Sequence, residues 1–146
     1  MKITIINKQS SLKIFKTDIS NKVKKILQKE NILTDEVIIN FVDTSEIIRL
    51  HKVFFNDPSS TDCISFPIDS YNEAKIGYSI LGEVFICTDT AIEYAQENNI
   101  SVNDELMLYL VHCILHLIGY DDKEKEDIEK MRKKEKEILN FLRENE

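Results

Sequence analysis

Long apolar runs and cysteines are both scarce in this sequence, and each scarcity excludes a class of protein. The longest apolar run, residues 106–118, is interrupted by two histidines. Because a membrane-spanning helix needs about 20 apolar residues, this run predicts a buried helix and no membrane partner. Residues 1–11 also lack the apolar segment and cleavage site of a signal peptide. The three cysteines are scattered and odd in number, which predicts reduced thiols in a cytoplasmic protein rather than a disulfide framework.

Positive charge is scarce in the middle of the chain, between residues 31 and 121. The chain has a net charge of −7, and residues 31–121 hold fifteen acidic side chains against three basic ones. Residues 1–30 carry eight lysines against two acids, which is the clearest positive excess in the chain. On charge alone, the acidic middle argues against nucleic-acid binding. The N-terminal lysines are typical of a solvated helix face.

Hydrophobic periodicity predicts one α+β domain over residues 1–146. Short β-branched or apolar segments predict four strands, at residues 2–7, 36–42, 61–66 and 81–87. Helical patterns predict five helices, which begin near residues 11–17, 43, 88, 101 and 123 and end near residues 30, 55, 98, 119 and 142. Residues 68–80 have no clear period and predict a loop or an irregular hairpin. The order of elements predicts a single mixed sheet, covered by helices that surround the buried helix at 106–118.

Apolar stripes predict which helix faces are buried. The predicted buried positions of the first helix are Leu12, Phe15, Ile19, Val23 and Ile26. Those of the second helix are Ile47, Leu50, His51 and Phe54, and those of the last helix are Ile128, Met131, Ile138 and Leu142. The Glu/Lys alternation on the rest of the last helix is typical of a solvated face. Capping residues are predicted at Asp43, at Thr88-Asp89 and at Ser101.

The predicted buried helix carries two histidines. Residues 106–118 are apolar on all sides except for His112, His116, a tyrosine hydroxyl and a thiol. An imidazole in an apolar interior is unfavourable unless its nitrogens are bound, and at i, i+4 the two rings lie on one helix face. The histidines are therefore candidate metal ligands, with a pair of satisfied core histidines as the alternative.

A glycine turn follows the histidines. Gly119 suits a left-handed helix end, beyond which the chain can double back. Asp122 then completes the pattern H-x3-H-x2-G-x2-D, and Asp121 is the competing oxygen ligand. Two imidazoles and one carboxylate leave a fourth position open, which is typical of a catalytic zinc site. The sequence thus predicts one Zn²⁺ per chain and no organic cofactor.

Three segments of the chain resemble one known family. The segment HCILHLIGYDD at 112–122 is similar to the HGxLHLxGYDH signature of the YbeY family of metal-dependent endoribonucleases. Residues 61–67, TDCISFP, are similar to the family's T-[DN]-V-L-S-F-P strand, and residues 81–87, LGEVFIC, to its LG[DE]I-x-I strand. Since the order and spacing of all three agree, the resemblance covers essentially the whole chain.

The resemblance implies a fold, a metal and a role. It implies an α+β fold with zinc held on His112, His116 and Asp122, the last of which stands where the family usually has a third histidine. It also implies cleavage of single-stranded RNA in the cytoplasm, through metal-bound water. The expected substrate is the 16S rRNA precursor at its 3′ end, and the expected wider role is quality control of ribosomal particles.

The sequence departs from the family pattern at four positions. Asp122 replaces a histidine, which a zinc site tolerates because carboxylates are acceptable ligands. Cys113 replaces a glycine and is expected to be a small buried hydrophobic residue. His51 replaces a common asparagine, and Phe55 stands where the family usually has an arginine that could neutralise phosphate charge. The candidate substitutes for that arginine are Lys52, Arg49 and His51, and the general base is not evident.

Two rival functions remain open at this point. Helical zinc peptidases share the histidine spacing, but they place a glutamate directly after the first histidine, where this chain has Cys113. A catalytically weakened, ribosome-associated zinc-binding module is the second alternative, because the family arginine is missing.

Two segments could contribute to a substrate cleft. Residues 59–61 and the third strand are candidates for a cleft wall that holds an extended substrate, and a plain sheet strand is the alternative. Phe54, Phe55 and Phe66 could stack on bases or belong to the core.

Overall fold

The computed structural model describes residues 1–73 and 77–146, and within them the chain forms four strands and five helices. The strands are β1 (Lys2–Lys8), β2 (Glu36–Val42), β3 (Cys63–Pro67) and β4 (Ile80–Cys87). The helices are α1 (Lys16–Lys29), α2 (Thr44–Phe55), α3 (Thr88–Asn98), α4 (Val102–Leu117) and α5 (Lys125–Glu144). The predicted α+β fold with one mixed sheet is confirmed. Part of the predicted loop at 68–80, residues 74–76, lies outside the described residues.

The sheet has the strand order β1-β2-β4-β3. Strands β1, β2 and β4 run parallel, and β3 pairs antiparallel with β4, so β3 forms one edge. Neighbouring residues Phe41 and Val42 belong to different hydrophobic clusters. Because successive strand side chains point to opposite faces, both faces of the sheet are covered. Helices α1, α4 and α5 pack on the larger cluster, and α2 packs on the smaller one.

Helix α4 is the buried helix that the sequence predicts. Nine of its sixteen residues are buried, and it contacts β3, β4, α3 and α5. Gly82 on β4 allows this close approach, since a Cβ there would lie 2.5 Å from Cδ2 of Leu117 and 2.7 Å from the carbonyl oxygen of Phe66. Among the described residues, no helix combines the length and hydrophobicity that crossing a membrane requires.

Most predicted apolar stripes are buried, but each contains one error. Phe15, Phe54 and Ile128 were expected to face the core and are instead 60%, 59% and 39% exposed. Phe15 is the N-cap of α1 and precedes its first turn, while Phe54 lies near the C-terminal end of α2. All three lie at or near a helix end, although Ile19 and Leu142, which also lie near helix ends, are buried as predicted.

One predicted cap is wrong. Asp43 and Ser101 accept hydrogen bonds from the backbone N–H groups of Glu46 and Asp104, as expected. Neither Thr88 nor Asp89 caps α3, whose N-cap is Cys87 and has no side-chain cap bond. The carboxylate of Asp89 instead accepts hydrogen bonds from the N–H and hydroxyl of Thr44, at the start of α2. Asp89 thus binds the start of a different helix, and sequence patterns within α3 cannot predict such a contact between two helices.

Candidate metal centre

The chain reverses direction directly after the two histidines. Gly119 has φ +103°, a backbone conformation that residues with a side chain rarely adopt. The N–H of Gly119 donates to the carbonyl of His116, and the N–H of Tyr120 donates to that of Leu115. These two bonds form a Schellman motif, which satisfies the last carbonyls of α4 and turns the chain back. The predicted glycine turn is therefore confirmed in its geometry.

The turn brings the three predicted ligands together. Nε2 of His112 lies 3.1 Å from Nε2 of His116. Oδ2 of Asp122 lies 3.4 Å from each of these two nitrogen atoms. Asp121 is not part of this group, and its carboxylate accepts a hydrogen bond from the N–H of Asp122. The structure thus separates the two aspartates that sequence spacing left as alternatives.

The three ligand atoms fit the coordination shell of zinc. A tetrahedral Zn²⁺ with nitrogen and oxygen ligands at about 2.0–2.1 Å separates those ligand atoms by about 3.3 Å. The observed separations of 3.1, 3.4 and 3.4 Å agree with this spacing. Without a cation, two imidazole nitrogens and a carboxylate oxygen would have to share the space through protons. The donor set and its spacing therefore fit a zinc ion.

A carboxylate on α5 supports the first histidine from behind. Glu135 is 2% exposed, and its Oε2 lies 2.6 Å from Nδ1 of His112. An ionised carboxylate only accepts hydrogen bonds, so Nδ1 of His112 is the donor. In the neutral ring the lone pair then lies on Nε2, which is the atom that faces His116 and Asp122. Metal-bound histidines commonly have such a partner, which fixes both their tautomer and their orientation.

The same pair shifts the pKa of both groups. Burial alone would raise the pKa of Glu135, but hydrogen bonds from His112 and Arg132 outweigh burial and lower it below its ordinary value. Burial alone would lower the pKa of His112, but the bond to Glu135 and the charges of nearby carboxylates raise it overall. Arg132 on α5 closes the network with a 2.9 Å contact from its Nη1 to Oε1 of Glu135. The carboxylate thus remains ionised although it is buried.

Two clefts meet at His112 and Asp122. A cavity of about 370 Å³, here called the strand cavity, is lined by His112, His116, Asp122, the edge strand β3, His51 and Phe55. A second cleft of about 800 Å³, here called the helix cleft, is lined by His112, Asp122, Glu135 and Arg132 among others. Strand β3 and Thr61 therefore form a cleft wall, as one of the two sequence interpretations expects. A substrate can approach the open side of the ligand triangle from either cleft.

Cys113, which follows the first histidine, is directed away from the ligands. It is fully buried in the larger hydrophobic cluster, and its carbonyl accepts a hydrogen bond from the hydroxyl of Ser65. The expectation of a small buried residue is confirmed. A zinc peptidase needs a general base at this position, so the geometry disfavours that alternative.

The three candidate catalytic residues occupy different places on α2. His51 lines the strand cavity, with its Nδ1 2.9 Å from the carbonyl oxygen of Ser59. Arg49 forms an ion pair with Glu46, and its side chain is 59% exposed. Neither Arg49 nor Lys52 is among the described residues that line the strand cavity. Their catalytic roles, and that of His51, stay predictions.

Sequence reasoning missed Glu135 and Arg132. Both were assigned to the solvated face of the last helix, together with the other Glu and Lys residues. A signal for Glu135 exists in the sequence, since it lies four residues after Met131 and three before Ile138, within the buried stripe of α5. A lone carboxylate in an apolar stripe needs a buried partner, and here the partner is a candidate metal ligand.

The fold and the site together define a class of protein, namely a small α+β protein with a three-ligand candidate metal centre between two clefts. A family model described as "Endoribonuclease YbeY" matches residues 4–143 of the chain. A relative from Protochlamydia amoebophila (strain UWE25) with the same name is 45% identical over 141 residues, which cover 97% of this chain and 93% of that protein. Another, from Chlamydia pneumoniae, is 36% identical over 146 residues, covering 98% of this chain and 92% of the relative.

A solved structure shares the fold. The solution structure of TM1509 from Thermotoga maritima aligns with a TM-score of 0.61 and 28% sequence identity. The alignment covers 98% of this chain and 93% of TM1509. With the family match over nearly its whole length, the chain belongs to the Endoribonuclease YbeY family.

Proposed function

We propose that this protein is a zinc-dependent endoribonuclease that cuts single-stranded RNA. We extend the proposal to the 3′ end of the 16S rRNA precursor in the cytoplasm, and to quality control of ribosomal particles. The observation that carries the reaction class is the triangle of His112, His116 and Asp122, which opens onto two clefts in a chain of the Endoribonuclease YbeY family. The ribosomal substrate rests on the family resemblance.

The ligand residues would hold one zinc ion per chain. When bound, zinc supplies a Lewis acid for a phosphodiester and a positive charge that offsets the surrounding carboxylates. His112 and His116 would hold it through Nε2, and Asp122 through Oδ2, the atoms that lie closest together. Glu135 keeps the Nδ1 proton of His112 in place, so the Nε2 lone pair is directed at the metal position.

Arg132 would contact the phosphate backbone. Its side chain is 61% exposed on the wall of the helix cleft, and Glu135 anchors one end of its guanidinium. A guanidinium that is held on one side and exposed on the other can bind a phosphate oxygen. Phe55 stands where the family usually has an arginine, and it carries no charge. Arg132 would thereby provide positive charge near the phosphate from the helix cleft instead. His51, which lines the strand cavity together with the three ligand residues, is our candidate for proton transfer.

One observation favours the second candidate, a catalytically weakened zinc-binding module that docks on ribosomal particles. None of the described residues that line the strand cavity is a lysine or an arginine. A nuclease normally places positive charge near the phosphate that it cleaves. Under this alternative, zinc would stabilise the turn between α4 and α5 without cutting RNA.

The test is an RNA cleavage assay with matched histidine variants. Purified wild type loaded with zinc should cut a single-stranded RNA with the sequence of the 16S rRNA 3′ region and spare the same sequence in a duplex. His116→Ala should lose both zinc and cleavage. His51 lies outside the ligand triangle, so His51→Gln should retain zinc. The RNA cleavage rate of this variant then reports whether His51 transfers a proton. Equal cutting by wild type and His116→Ala would refute the proposal, while zinc binding without cleavage would support the docking module.

A further inference from the structure

The ring of Phe55 is exposed on the wall of the strand cavity. Phe55 is the last residue of α2, is 53% exposed and lines the same cavity as His112, His116 and Asp122. An exposed phenylalanine is unfavourable in water unless another group covers it. Its position beside the candidate metal centre suggests that the covering group is part of the substrate.

Neighbouring rings hold Phe55 in place. Phe66 of β3 stacks against it, with ring centroids 6.0 Å apart and planes inclined by 22°. The ring of His51 lies 5.6 Å away on the preceding turn of α2. Phe66 is in turn fixed by an edge contact to Phe85 on β4. Phe55 is therefore a supported ring, and it can bind a flat ligand with little loss of conformational freedom.

The backbone at the end of α2 also fixes the ring. Asn56 adopts a left-handed conformation with φ 54°, and its N–H donates to the carbonyl of Lys52. The N–H of Asp57 then donates to the carbonyl of His51. These bonds end the helix directly after Phe55, so the ring lies at the point where α2 meets the cavity.

The charges of the cavity wall indicate what kind of ligand Phe55 can bind. The ionisable side chains of the described cavity wall are the acids Asp62 and Asp122, a thiol and the three histidines, with no lysine or arginine. Away from the candidate metal position, such a wall offers a phosphate no positively charged lysine or arginine as a partner. An unpaired base is different, because it is flat, has no charge and can stack on any aromatic face.

We infer that Phe55 is a base-stacking residue that takes up one unpaired base of the RNA, beside the nucleotide that is cut. The inference rests on the proposed function and adds a binding site to it. In this arrangement the ring positions the strand, while the ligand triangle and Arg132 contact the phosphate. A single-stranded substrate follows from this geometry, since a paired base cannot reach the ring without unstacking.

Phe54 provides a matched control. It precedes Phe55 on α2, is 59% exposed and also contacts Phe66, with ring centroids 5.1 Å apart. It is not among the described residues that line the strand cavity. Phe54→Leu therefore removes a similar exposed ring from the same helix without removing a residue that lines the strand cavity.

The binding experiment uses single-stranded RNAs that carry the fluorescent base 2-aminopurine at successive positions. Wild type should quench the probe strongly at one position. Phe55→Leu keeps the apolar bulk but removes the ring, and should weaken both the quenching and the affinity by about 5- to 150-fold. Phe55→Tyr should restore both, and Phe54→Leu should match wild type. Zinc affinity, measured by competition with a chelator, should be the same in all four proteins.

A cleavage experiment with abasic RNA separates stacking from other roles. Removing the base at the quenched position should lower kcat/KM of wild type by the same factor as Phe55→Leu does on intact RNA. Combining the two changes should give no further loss, since both remove one contact. Equal RNA affinity of wild type and Phe55→Leu would overturn the inference.

The two proposals fail in different ways. If wild type cuts RNA and Phe55→Leu cuts and binds equally well, the stacking site is refuted and the nuclease stands. If wild type cuts no RNA but quenches 2-aminopurine in a Phe55-dependent manner, the base site is supported and the proposed reaction is refuted.

Discussion

Glu135 on α5 accepts a hydrogen bond from Nδ1 of His112 on α4, across 2.6 Å. This contact joins two helices that are separated along the chain by the glycine turn and by Asp122. It links the orientation of a candidate metal ligand to the packing of the last helix on the core. Metal affinity should therefore depend on a residue that never touches the metal.

Replacing Glu135 should weaken zinc binding. We expect Glu135→Ala to lower the zinc affinity by about 10- to 100-fold, because partners of metal-bound histidines typically contribute this much. Glu135→Gln keeps an acceptor but loses the charge, so an intermediate effect is expected. The measurement is a competition titration with a chromophoric chelator.

Glu137 offers a control on the same helix. Its carboxylate is exposed and pairs with Lys134, and it is not part of the candidate metal group. Glu137→Gln should leave zinc affinity unchanged. An unchanged affinity in Glu135→Ala would show that His112 needs no partner to bind zinc.

The two adjacent aspartates should behave differently. Asp122→Asn should weaken zinc binding at least tenfold, because a neutral amide is a poorer ligand than a carboxylate. Asp121→Asn should have little effect, since Asp121 bonds only to the backbone of Asp122 among the contacts described. Asp122→His should bind zinc more tightly than Asp122→Asn does, because the imidazole of histidine is a good zinc ligand. If Asp121→Asn were the more damaging change, the assignment of the oxygen ligand would be wrong.

Arg132 should influence the salt dependence of RNA binding. A phosphate contact releases counterions, so Arg132→Ala should reduce the slope of log affinity against log salt by about one. Lys133→Ala removes a charge from the next residue of α5, which does not line the helix cleft among the described residues, and should have a smaller effect. The measurement is RNA binding over a range of salt concentrations, with zinc affinity determined alongside. Equal slopes in wild type and Arg132→Ala would exclude a phosphate contact at Arg132.

Replacing Gly119 by alanine, which adds a single methyl group, should lower the stability of the protein. A Cβ at this position would meet nothing within 4 Å, so the effect of Gly119→Ala is confined to the backbone at φ +103°. We expect the free energy of unfolding to fall by about 1–3 kcal/mol, the usual range for a strained residue. Urea unfolding of the metal-free protein measures this, with Asp121→Ala as a control in the same turn. Wild-type stability in Gly119→Ala would mean that the turn tolerates side chains.

Much of the candidate site could be predicted because it is local. His112, His116, Gly119 and Asp122 fall within eleven residues, and helix geometry with one glycine turn brings them together. The choice between Asp121 and Asp122 was harder, because both follow the turn. It depends on the backbone conformation after Tyr120, which places one carboxylate at the rings and the other against the chain.

The errors share one physical cause, which is contact between distant parts of the chain. Asp89 accepts hydrogen bonds from Thr44 of α2 and does not cap its own helix, because the end of β4 lies beside the start of α2. Phe54 follows the predicted apolar stripe of α2, yet it is exposed because only Phe66 of the sheet edge contacts its ring among the aromatic contacts described. Propensity and periodicity describe one element at a time, so they cannot report where a neighbouring element stops.

By itself, the sequence determined the helices, the strands and the nature of the candidate ligand set, because periodicity, capping and ligand spacing act over a few residues. Only the tertiary structure decided that Glu135 supports His112, that Arg132 borders the same site and that Phe55 lines its wall. Those relationships join α2, α4 and α5, and they form only when the helices pack against the sheet and bury the surfaces between them. Packing, rather than local propensity, therefore completes the site.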